Sequence, residues 1–402
     1  MQNVSNEVTV VGAGPVGLVA ALKLARAGIP VTVIEAEASL NDSPRAVVYH
    51  PPTVQALDEL GVLDDMKAVG IVKYDYQTRT PDGEILLQMD MGSLLKDDTA
   101  YPYNLHLGQH QLGQIVLNHL LREPTATIRW NTRLVALEQD DRGVIATVET
   151  PEGVEPISTA WLLGTDGGRS GVRKALGLSF DGMTWPQRFV VTDVYTDFDS
   201  FGYAKSNVLI DPVDFSIICQ ITRDGLWRVG FGEDPALDEA TIAQRIPERL
   251  GRLIPGEYRL DRFSPYRVHN RVAPTFRVGR VLLAGDAAHT CSPMGGLGLT
   301  GGILDAVALG DAMIAVLLAG APGTVLDEYA QDRRDIFVSY TSPTSTENTR
   351  RMTERDPAQR ELDRSRLQRV QDDPALQREM LLATCKLVGK SFAVPEFAAG
   401  KA

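Results

Sequence analysis

Cysteine is scarce in this chain of 402 residues. The three cysteines, Cys219, Cys291 and Cys385, are odd in number and far apart. A disulfide-stapled scaffold is therefore excluded, and reduced thiols in a cytoplasm-like compartment are expected. The six histidines show no metal-ligand spacing, so the sequence predicts no metal site.

Basic residues and long apolar runs are also in short supply. The 40 Lys and Arg residues are outnumbered by 52 Asp and Glu residues, giving a net charge of −12. Binding to nucleic acid is disfavoured, because phosphate backbones are bound by basic surfaces. The longest apolar stretch, Val307 to Ala319, contains Asp311 and is too short to cross a bilayer. With no leader-like run near the N-terminus, we expect a cytoplasmic protein without membrane insertion.

A strand–helix–strand pattern is present at the start of the chain. Glu7 to Val11 form a short β-rich run, and Val31 to Ile34 form a second apolar run. Between them, small and apolar residues recur at helical spacing from Val16 to Ala27, and Gly28 is a suitable helix stop. The pattern predicts a complete βαβ unit, which implies parallel strands.

A glycine loop with the sequence Gly12-Ala13-Gly14-Pro15-Val16-Gly17 joins the first strand to the helix. Its glycines permit a tight turn, close approach to a pyrophosphate and close strand–helix packing. Glu35, at the tip of the second strand, is placed to accept hydrogen bonds from an adenosine ribose and disfavours a 2′-phosphate. The unit therefore predicts FAD or NAD and not NADP. Its cofactor-binding candidates are Gly12, Gly14, Pro15, Val16, Gly17, Glu35 and Ala36.

Two later motifs also carry glycine. The first is Asp166-Gly167, and the second is Gly285-Asp286, which follows an apolar strand and precedes a glycine-rich stretch from Pro293 to Gly302. This stretch predicts a loop, followed by a long helix from about Gly301. A carboxylate at the end of a strand can bind a polyol such as the ribityl chain of a flavin. Glycine amides at a helix start can stabilise an anionic pyrophosphate or a reduced flavin. Together the three motifs indicate a chain that returns to one extended cofactor, which favours FAD.

The order of patterns predicts an α/β fold. We expect a Rossmann-like FAD-binding domain of the GR2 type, an inserted β-sheet substrate domain and a helical C-terminus. The expected parts are FAD-binding residues 1–75, 106–180 and 271–340, substrate-domain residues 76–105 and 181–270, and C-terminal helical residues 341–402. The last part has mixed-sign charge typical of a solvated helix face, and a homodimer is a further prediction for it.

The three motifs, read as longer segments, resemble the single-component FAD-dependent aromatic hydroxylases, which include p-hydroxybenzoate hydroxylase and phenol hydroxylase. The resemblance covers roughly residues 5 to 340, as Gly12–Gly17 with Glu35, Gly164–Arg173 and Gly279–His289. It implies that Arg45 and Gln109 lie beside the flavin, and that Asp166 and Arg169 belong to a motif serving FAD and reduced nicotinamide. Asp286 would bind the ribityl chain. The implied residues lining the isoalloxazine are Pro293, Gly296, Leu297, Gly298 and Leu299.

The resemblance further implies an NAD(P)H-consuming monooxygenase of EC 1.14.13-like type. It would hydroxylate a small aromatic or N-heteroaromatic, phenol-like substrate with O₂ through a flavin C4a-hydroperoxide. A group near the substrate oxygen would help to deprotonate it. Tyr203, Arg188, Trp227 and Tyr266 lie on the inserted sheet that roofs the pocket in this family. With Arg45 and Pro293, the catalytic candidates are Tyr203, Arg188 and Tyr266.

The sequence departs from the family pattern at Leu297 and Thr300, where Gln and Asn are frequent, so backbone amides and not side chains are expected to serve the cofactor there. His289 is expected to be structural. The motifs indicate which cofactor is bound, but they do not specify which reaction the protein catalyses. A FAD-dependent epoxidase, oxidase or dehydrogenase acting on a polyketide or isoprenoid is therefore the alternative, and a non-enzymatic flavin sensor is a third. NADH versus NADPH stays open.

Overall fold

The computed structural model describes residues 7–42, 45–234 and 236–394. Ser43 and Pro44, which precede Arg45 in its motif, lie outside the described residues. Twenty strands occur in the described ranges: β1 Val8–Val11, β2 Val31–Ile34, β3 Val48–Tyr49, β4 Ile71–Lys73, β5 Asp75–Arg79, β6 Ile85–Asp90, β7 Asn104–His106, β8 Ala126–Arg129, β9 Arg133–Gln139, β10 Val144–Thr150, β11 Gly153–Thr159, β12 Trp161–Gly164, β13 Asp181–Tyr195, β14 Ser206–Leu209, β15 Ser216–Gln220, β16 Leu226–Glu233, β17 Arg259–Val272, β18 Arg277–Val278, β19 Val281–Leu283 and β20 His289–Thr290.

Twelve α-helices connect or cover these strands within the same ranges. They are α1 Pro15–Arg26, α2 Pro51–Glu59, α3 Leu63–Val69, α4 Met91–Leu94, α5 Gln109–Leu120, α6 Gly171–Ala175, α7 Ile242–Leu253, α8 Leu297–Leu317, α9 Thr324–Ile336, α10 Ser342–Thr353, α11 Pro357–Asp372 and α12 Pro374–Leu382. A π-helical turn, Phe337–Thr341, continues α9 into α10.

A six-stranded sheet has the order β18-β19-β12-β1-β2-β8. β1 is parallel to β2 and β12, β2 is parallel to β8, and β12 is parallel to β19. β1 is buried along its whole length, as expected for a parallel strand covered on both faces. The predicted βαβ unit and the α/β fold class are confirmed.

A mixed eight-stranded sheet has the order β20-β17-β13-β16-β15-β14-β5-β6, so residues near 75–90 complete a sheet built mainly from residues 181–272. Its strands are antiparallel except for the pair β14–β5. One face packs on the amphipathic helix α7, and the other holds Phe189, Val191 and Tyr266. Alternation along each strand therefore decides which residues face the interior between the sheets.

Two smaller sheets complete the β structure. β3, β7 and β4 pair in that order beside the eight-stranded sheet, where His106 Nδ1 of β7 donates to the Gln220 carbonyl oxygen at 2.9 Å. β11, β10 and β9 form a separate three-stranded antiparallel sheet.

Helix α8 begins earlier than the sequence indicated. The glycine-rich stretch predicted a loop up to about Gly301, but the helix starts at Leu297, directly after Gly296 with its positive φ of 67°. A Cβ on Gly302 would lie 2.9 Å from Val16 Cγ2 and 3.2 Å from Gly285 Cα. Gly302 thus serves close packing inside the helix, which composition alone could not distinguish from a loop. α8 is also long and apolar enough to cross a membrane, but 78% of its apolar window is buried inside the protein, as in a core helix.

The C-terminal helices pack back on the same chain. The Gln371 side-chain oxygen in α11 accepts a hydrogen bond from the Gln88 amide in β6 at 2.7 Å. Arg350 in α10 forms ion pairs with Glu347, Glu354 and Asp363 at 2.7–2.9 Å. Charged side chains of the C-terminal helices thus form ion pairs with one another, and the homodimer stays a prediction.

Candidate functional site

A cavity of about 2210 Å³ is lined by residues of the six-stranded sheet, the eight-stranded sheet and the C-terminal helices. Pockets for single small ligands typically measure about 300–1,000 Å³. This cavity therefore has room for an extended cofactor together with a second molecule. Of the predicted site residues, it brings together the glycine loop, Glu35, Ala36, Arg45, Gln109, Asp166, Arg169, Arg188, Tyr266, Asp286, Pro293 and Gly296–Leu299, with Gly17 behind the loop.

The three glycines of the loop have three different surroundings. Gly12 has a φ of +104°, and a Cβ there would lie 2.8 Å from the Thr165 carbonyl oxygen. A Cβ on Gly17 would overlap Gly12 itself, so the helix α1 can approach β1 closely only with glycine. A Cβ on Gly14 would meet no atom within 4 Å, because that position faces the cavity. The free amides at the N-terminus of α1 thus border open space suited to a pyrophosphate.

Glu35 directly follows β2, and its carboxylate is held over the loop. Its Oε2 atom accepts a hydrogen bond from the Ala13 amide at 2.8 Å, and its Oε1 atom accepts one from the Glu37 amide at 3.0 Å. A carboxylate has further lone pairs beyond these two bonds. Glu35 can therefore accept ribose hydroxyls while remaining fixed.

Asp166 acts as a cap for the short helix α6. Its Oδ2 atom accepts bonds from the Gly171 and Val172 amides at 2.6 and 3.1 Å, and its Oδ1 atom accepts one from the Ser170 hydroxyl at 2.5 Å. Burial raises its pKa, against the opposing effect of these bonds. Both carboxylate oxygens are thus occupied by the protein, and Asp166 shapes the loop that presents the exposed Arg169 at the cavity.

Asp286 projects into the cavity from the loop after β19. Its side chain is exposed to the cavity, and desolvation by the surrounding walls raises its pKa despite the nearby charges of His289 and Arg45. Behind it, Asp305 accepts bonds from His289 Nε2 and Arg333 Nε, both at 2.7 Å. The His289 ring is stacked on the Phe337 ring, with 4.6 Å between centroids, so its role is structural as expected.

The loop before α8 is fixed from two sides. His50 Nε2 lies 2.8 Å from the Gly295 carbonyl oxygen, and Asn348 donates to the Met294 carbonyl at 3.3 Å. The Leu297 side chain is buried away from the loop, and Thr300 has a buried hydroxyl without a partner among the described residues. The amides at the start of α8 are consequently the groups offered to the cavity, in line with the two sequence departures.

Arg45 and Gln109 border the same region. The Arg45 carbonyl accepts a hydrogen bond from Arg228, whose Nε and Nη2 atoms also bind both carboxylate oxygens of Asp193 at 2.8 and 3.0 Å. The Gln109 amide donates to the Ala46 carbonyl at 3.1 Å. The backbone of Arg45 is anchored in this way, while its side chain is exposed at the cavity.

The predicted substrate-facing residues separate into two groups. Tyr266 lines the cavity with its ring 5.7 Å from that of Phe189, and burial raises its pKa, so the phenol stays neutral. Arg188 also lines the cavity, but it is committed to Glu233 at 3.0 Å and to Glu239.

Tyr203 and Trp227 are placed differently from the prediction. Trp227 precedes the cavity-lining Arg228 by one residue, so strand alternation turns it to the opposite face, against α7. Tyr203 lies in the loop before β14 and packs on Phe198, with 4.7 Å between ring centroids. This placement gives no support to a role for either residue at the substrate.

Sequence reasoning missed several cavity residues. His50 and Asn104 line the cavity, and Lys73 and His106 lie buried behind them. β3, β4 and β7 are two or three residues long, which is too short for a periodicity signal. Residues of α10, α11 and α12 also line the cavity, and their charged composition gave no sign of it.

Known proteins share this architecture and sequence. A family model described as an FAD binding domain matches residues 5–342. The para-nitrophenol 4-monooxygenase of Pseudomonas sp. strain WBC-3 is 48% identical over 388 residues, covering 95% of this chain and 96% of that protein. The 6-hydroxy-3-succinoylpyridine 3-monooxygenase HspB of Pseudomonas putida strain DSM 28022 is 41% identical over 362 residues, covering 89% and 91%.

A solved structure agrees over almost the whole chain. The crystal structure of p-nitrophenol 4-monooxygenase PnpA from Pseudomonas putida DLL-E4 superposes with a TM-score of 0.94 at 47% sequence identity. The match covers 96% of this chain and 99% of that one.

Proposed function

The chain belongs to the single-component FAD-dependent aromatic hydroxylases, and on that premise we propose that its substrate is a small phenol with a displaceable substituent para to the hydroxyl group. The names of both relatives support this choice. In 4-nitrophenol, ring position 4 is para to the hydroxyl and carries the nitro group. In 6-hydroxy-3-succinoylpyridine, position 3 is para to the hydroxyl and carries the succinoyl group. Each name assigns the oxygenation to the substituted para carbon.

The enzyme is an FAD-dependent monooxygenase that consumes O₂ and a reduced nicotinamide. When bound, FAD accepts a hydride and passes the electrons to O₂, so that one oxygen atom reaches the ring and the other becomes water. The open space at Gly14, the amides at the starts of α1 and α8, and the Asp286 carboxylate fit this cofactor. We assign the ADP half to the glycine loop, Glu35 and Ala36.

The flavin half is assigned to the remaining cofactor candidates: Arg45, Gln109, Asp286, Pro293, Gly296, Leu297, Gly298 and Leu299. Asp166 supports this region by holding the Arg169 loop, to which the nicotinamide is assigned. The six-part domain division and a cytoplasmic location remain proposals, the latter supported by the three free cysteines.

The substrate chamber is the part of the cavity between the eight-stranded sheet and α10. Its walls include Phe189, Val191, Tyr266 and Met352, which are apolar or neutral and pack as one cluster with Met294. Such walls orient a flat ring and exclude water, which otherwise diverts the reaction to peroxide.

With 4-nitrophenol as the probe, the overall change balances without a further reactant. A C4–O bond forms, the C4–N bond breaks, and the electron pair of the broken bond leaves with nitrite. The phenol, O₂ and NAD(P)H thereby give benzoquinone, nitrite, water and NAD(P)⁺.

The test is the turnover of the FAD-loaded protein with 4-nitrophenol and either NADH or NADPH, scoring nitrite, quinone and peroxide. We expect nitrite in near-equal amount to the nicotinamide oxidised. 3-Nitrophenol is the matched control, because its para carbon carries no leaving group. 6-Hydroxy-3-succinoylpyridine tests whether the enzyme also accepts an N-heteroaromatic substrate. Peroxide as the sole product from 4-nitrophenol would overturn the proposal.

A further inference from the structure

Lys73 is a buried lysine at the end of β4. Its side chain is 1% exposed, and its ammonium nitrogen has no hydrogen-bond partner in the described part of the chain. Lys73 is directly opposite Asn104 in the antiparallel pair β4–β7, so the two side chains lie on the same face. Asn104 lines the cavity, and its side chain lies beside His50.

The groups that face Lys73 leave its charge largely uncompensated. Asp75, on β5, is the nearby carboxylate, but its Oδ2 atom accepts the Lys205 amide at 2.8 Å. From β15, the Cys219 thiol has its pKa raised by burial, and from β7 and the start of α2, His106 and His50 have their pKa values lowered by burial. These three groups are neutral at pH 7.

The neighbourhood of Lys73 borders the substrate chamber. The Tyr76 ring, whose centroid lies 5.5 Å from the Lys73 nitrogen, lines the cavity, as do Cys219 and His50. His50 in turn contacts the Gly295 carbonyl of the loop before α8. A cation that Asp75 compensates only in part, and that makes no hydrogen bond to a described residue, thus lies behind the cavity wall. A buried charge is costly unless an anion compensates it fully.

We propose that Lys73 is a positioning residue whose ammonium group holds the substrate hydroxyl, bound beside Asn104 and His50, in its anionic phenolate form. The inference rests on the proposed phenolic substrate. A phenolate donates electron density to its para carbon, the carbon at which oxygenation is proposed. Its negative charge also supplies the hydrogen-bonding partner that Lys73 lacks among the described residues.

The test measures the ionisation of bound 4-nitrophenol, whose anion absorbs visible light that the neutral phenol does not. Oxidised FAD-loaded protein is titrated without nicotinamide, so that no turnover occurs, and the flavin absorbance is subtracted. Wild type is compared with Lys73→Met, which removes the charge, and with Lys73→Arg, which keeps it. Lys96→Met is the matched control, because Lys96 is exposed at the surface.

We expect the Met variant to raise the pKa of the bound phenol by about one unit or more, the usual effect of losing a nearby opposite charge. Lys73→Arg and Lys96→Met should stay close to wild type. Binding of 4-nitroanisole, which cannot ionise, should be the same in all four proteins, whereas a purely structural defect would weaken it.

An unchanged ionisation of bound 4-nitrophenol in Lys73→Met, with 4-nitroanisole still bound, would overturn the role of Lys73. The proposed function can fail independently. A phenolate bound in a Lys73-dependent way without any nitrite release on adding nicotinamide would refute the reaction and not the electrostatic role.

Discussion

The buried charge of Lys73 opposes the folding of the protein. Burial lowers the pKa of Lys73 to about 8, with partial compensation from Asp75 and Cys219. The unfolded chain, with an ordinary lysine, therefore binds more protons than the folded chain between about pH 8 and about 10. The charged form of Lys73 opposes folding at pH 7, and this opposition fades as the pH rises through that window.

Replacing Lys73 by Met should consequently stabilise the protein without ligand. A pKa difference of about 2.5 units corresponds to about 3 kcal/mol in the free energy of unfolding at pH 7. Urea unfolding at pH 7 and pH 10 checks this, because the gain should shrink at the higher pH. A variant less stable than wild type at both pH values would contradict the prediction.

Gly14→Ala separates cofactor binding from folding. The backbone φ of −68° suits alanine, and the new Cβ would meet no protein atom within 4 Å. We expect an unchanged unfolding midpoint for the apoprotein but at least tenfold weaker FAD binding, because the methyl group enters the space assigned to the pyrophosphate. Gly251→Ala, on the exposed side of α7, is the control and should bind FAD normally. Equal FAD affinity in both variants would show that the glycine loop does not bind the cofactor.

The residues predicted from the sequence that line the cavity lie mostly at the ends of buried strands. The glycine loop, Glu35 and Asp286 could be located because their functions depend on the ends of buried strands, which apolar runs reveal. The sequence could not single out Lys73, because its proposed role depends on its position opposite Asn104 in the β4–β7 pair, and the sequence alone does not reveal that pairing. Trp227 faces away from the cavity, which alternation reveals only once the strand register is known, and Tyr203 lies in a loop, where no alternation applies.

At the scale of elements, α8 is the link between the cofactor loops and the core. Its Asp305 accepts hydrogen bonds from His289 of β20, from Arg333 of α9 and from the Gly285 amide, the last at 3.0 Å. Burial alone would raise the pKa of Asp305, but the charges of His289 and Arg333 lower it to about 2. The stabilisation is present above the ordinary carboxyl pKa and is lost as the pH falls through about 2.

Asp305→Asn should therefore be costly. Removing one member of a buried charged network leaves Arg333 unpaired, and we expect a loss of about 3–5 kcal/mol in the free energy of unfolding at pH 7. Asp327→Asn provides the comparison, because the exposed pair of Asp327 with Arg277 is worth about 1 kcal/mol or less. Denaturant unfolding of both variants checks the difference, and similar losses would show that the Asp305 network is not special.

The boundaries of an element could be predicted where a local pattern of buried apolar residues marks them. β2 was predicted at its observed bounds, Val31–Ile34. The glycines at the start of α8 suggested a loop, whereas Gly302 is required by contacts with Val16 and Gly285, which lie far away in sequence. A local pattern cannot report a packing contact of that kind.

For the whole molecule, the C-terminal helices form part of the cavity wall. Leu367 and Val370 of α11 and Met380 of α12 line it. Two ion pairs, Arg364–Glu84 and Arg378–Asp98, attach these helices to the β6–α4 region. Closure of the chamber thus depends on contacts that are individually weak, since exposed ion pairs contribute little.

A double variant, Arg364→Gln with Arg378→Gln, should loosen this wall while preserving the fold. We expect the free energy of unfolding to change by about 1 kcal/mol or less, and the peroxide formed per nicotinamide to rise, because water gains access to the chamber. Arg142→Gln, which removes an exposed pair with Asp140 in the β9–β10 turn, is the control. An unchanged product-to-peroxide ratio in the double variant would show that the helices are not needed to exclude water.

The order of strands in the six-stranded sheet has a consequence for synthesis on the ribosome. β1 has β2 on one side, but its other neighbour is β12, and β12 in turn requires β19. At roughly 5–20 residues per second, the interval between the emergence of β1 and that of β19 is roughly 15–50 s. During that interval an open apolar strand edge is available to other nascent chains. Chaperone capture of the growing chain should therefore end only after residue 283 has left the exit tunnel.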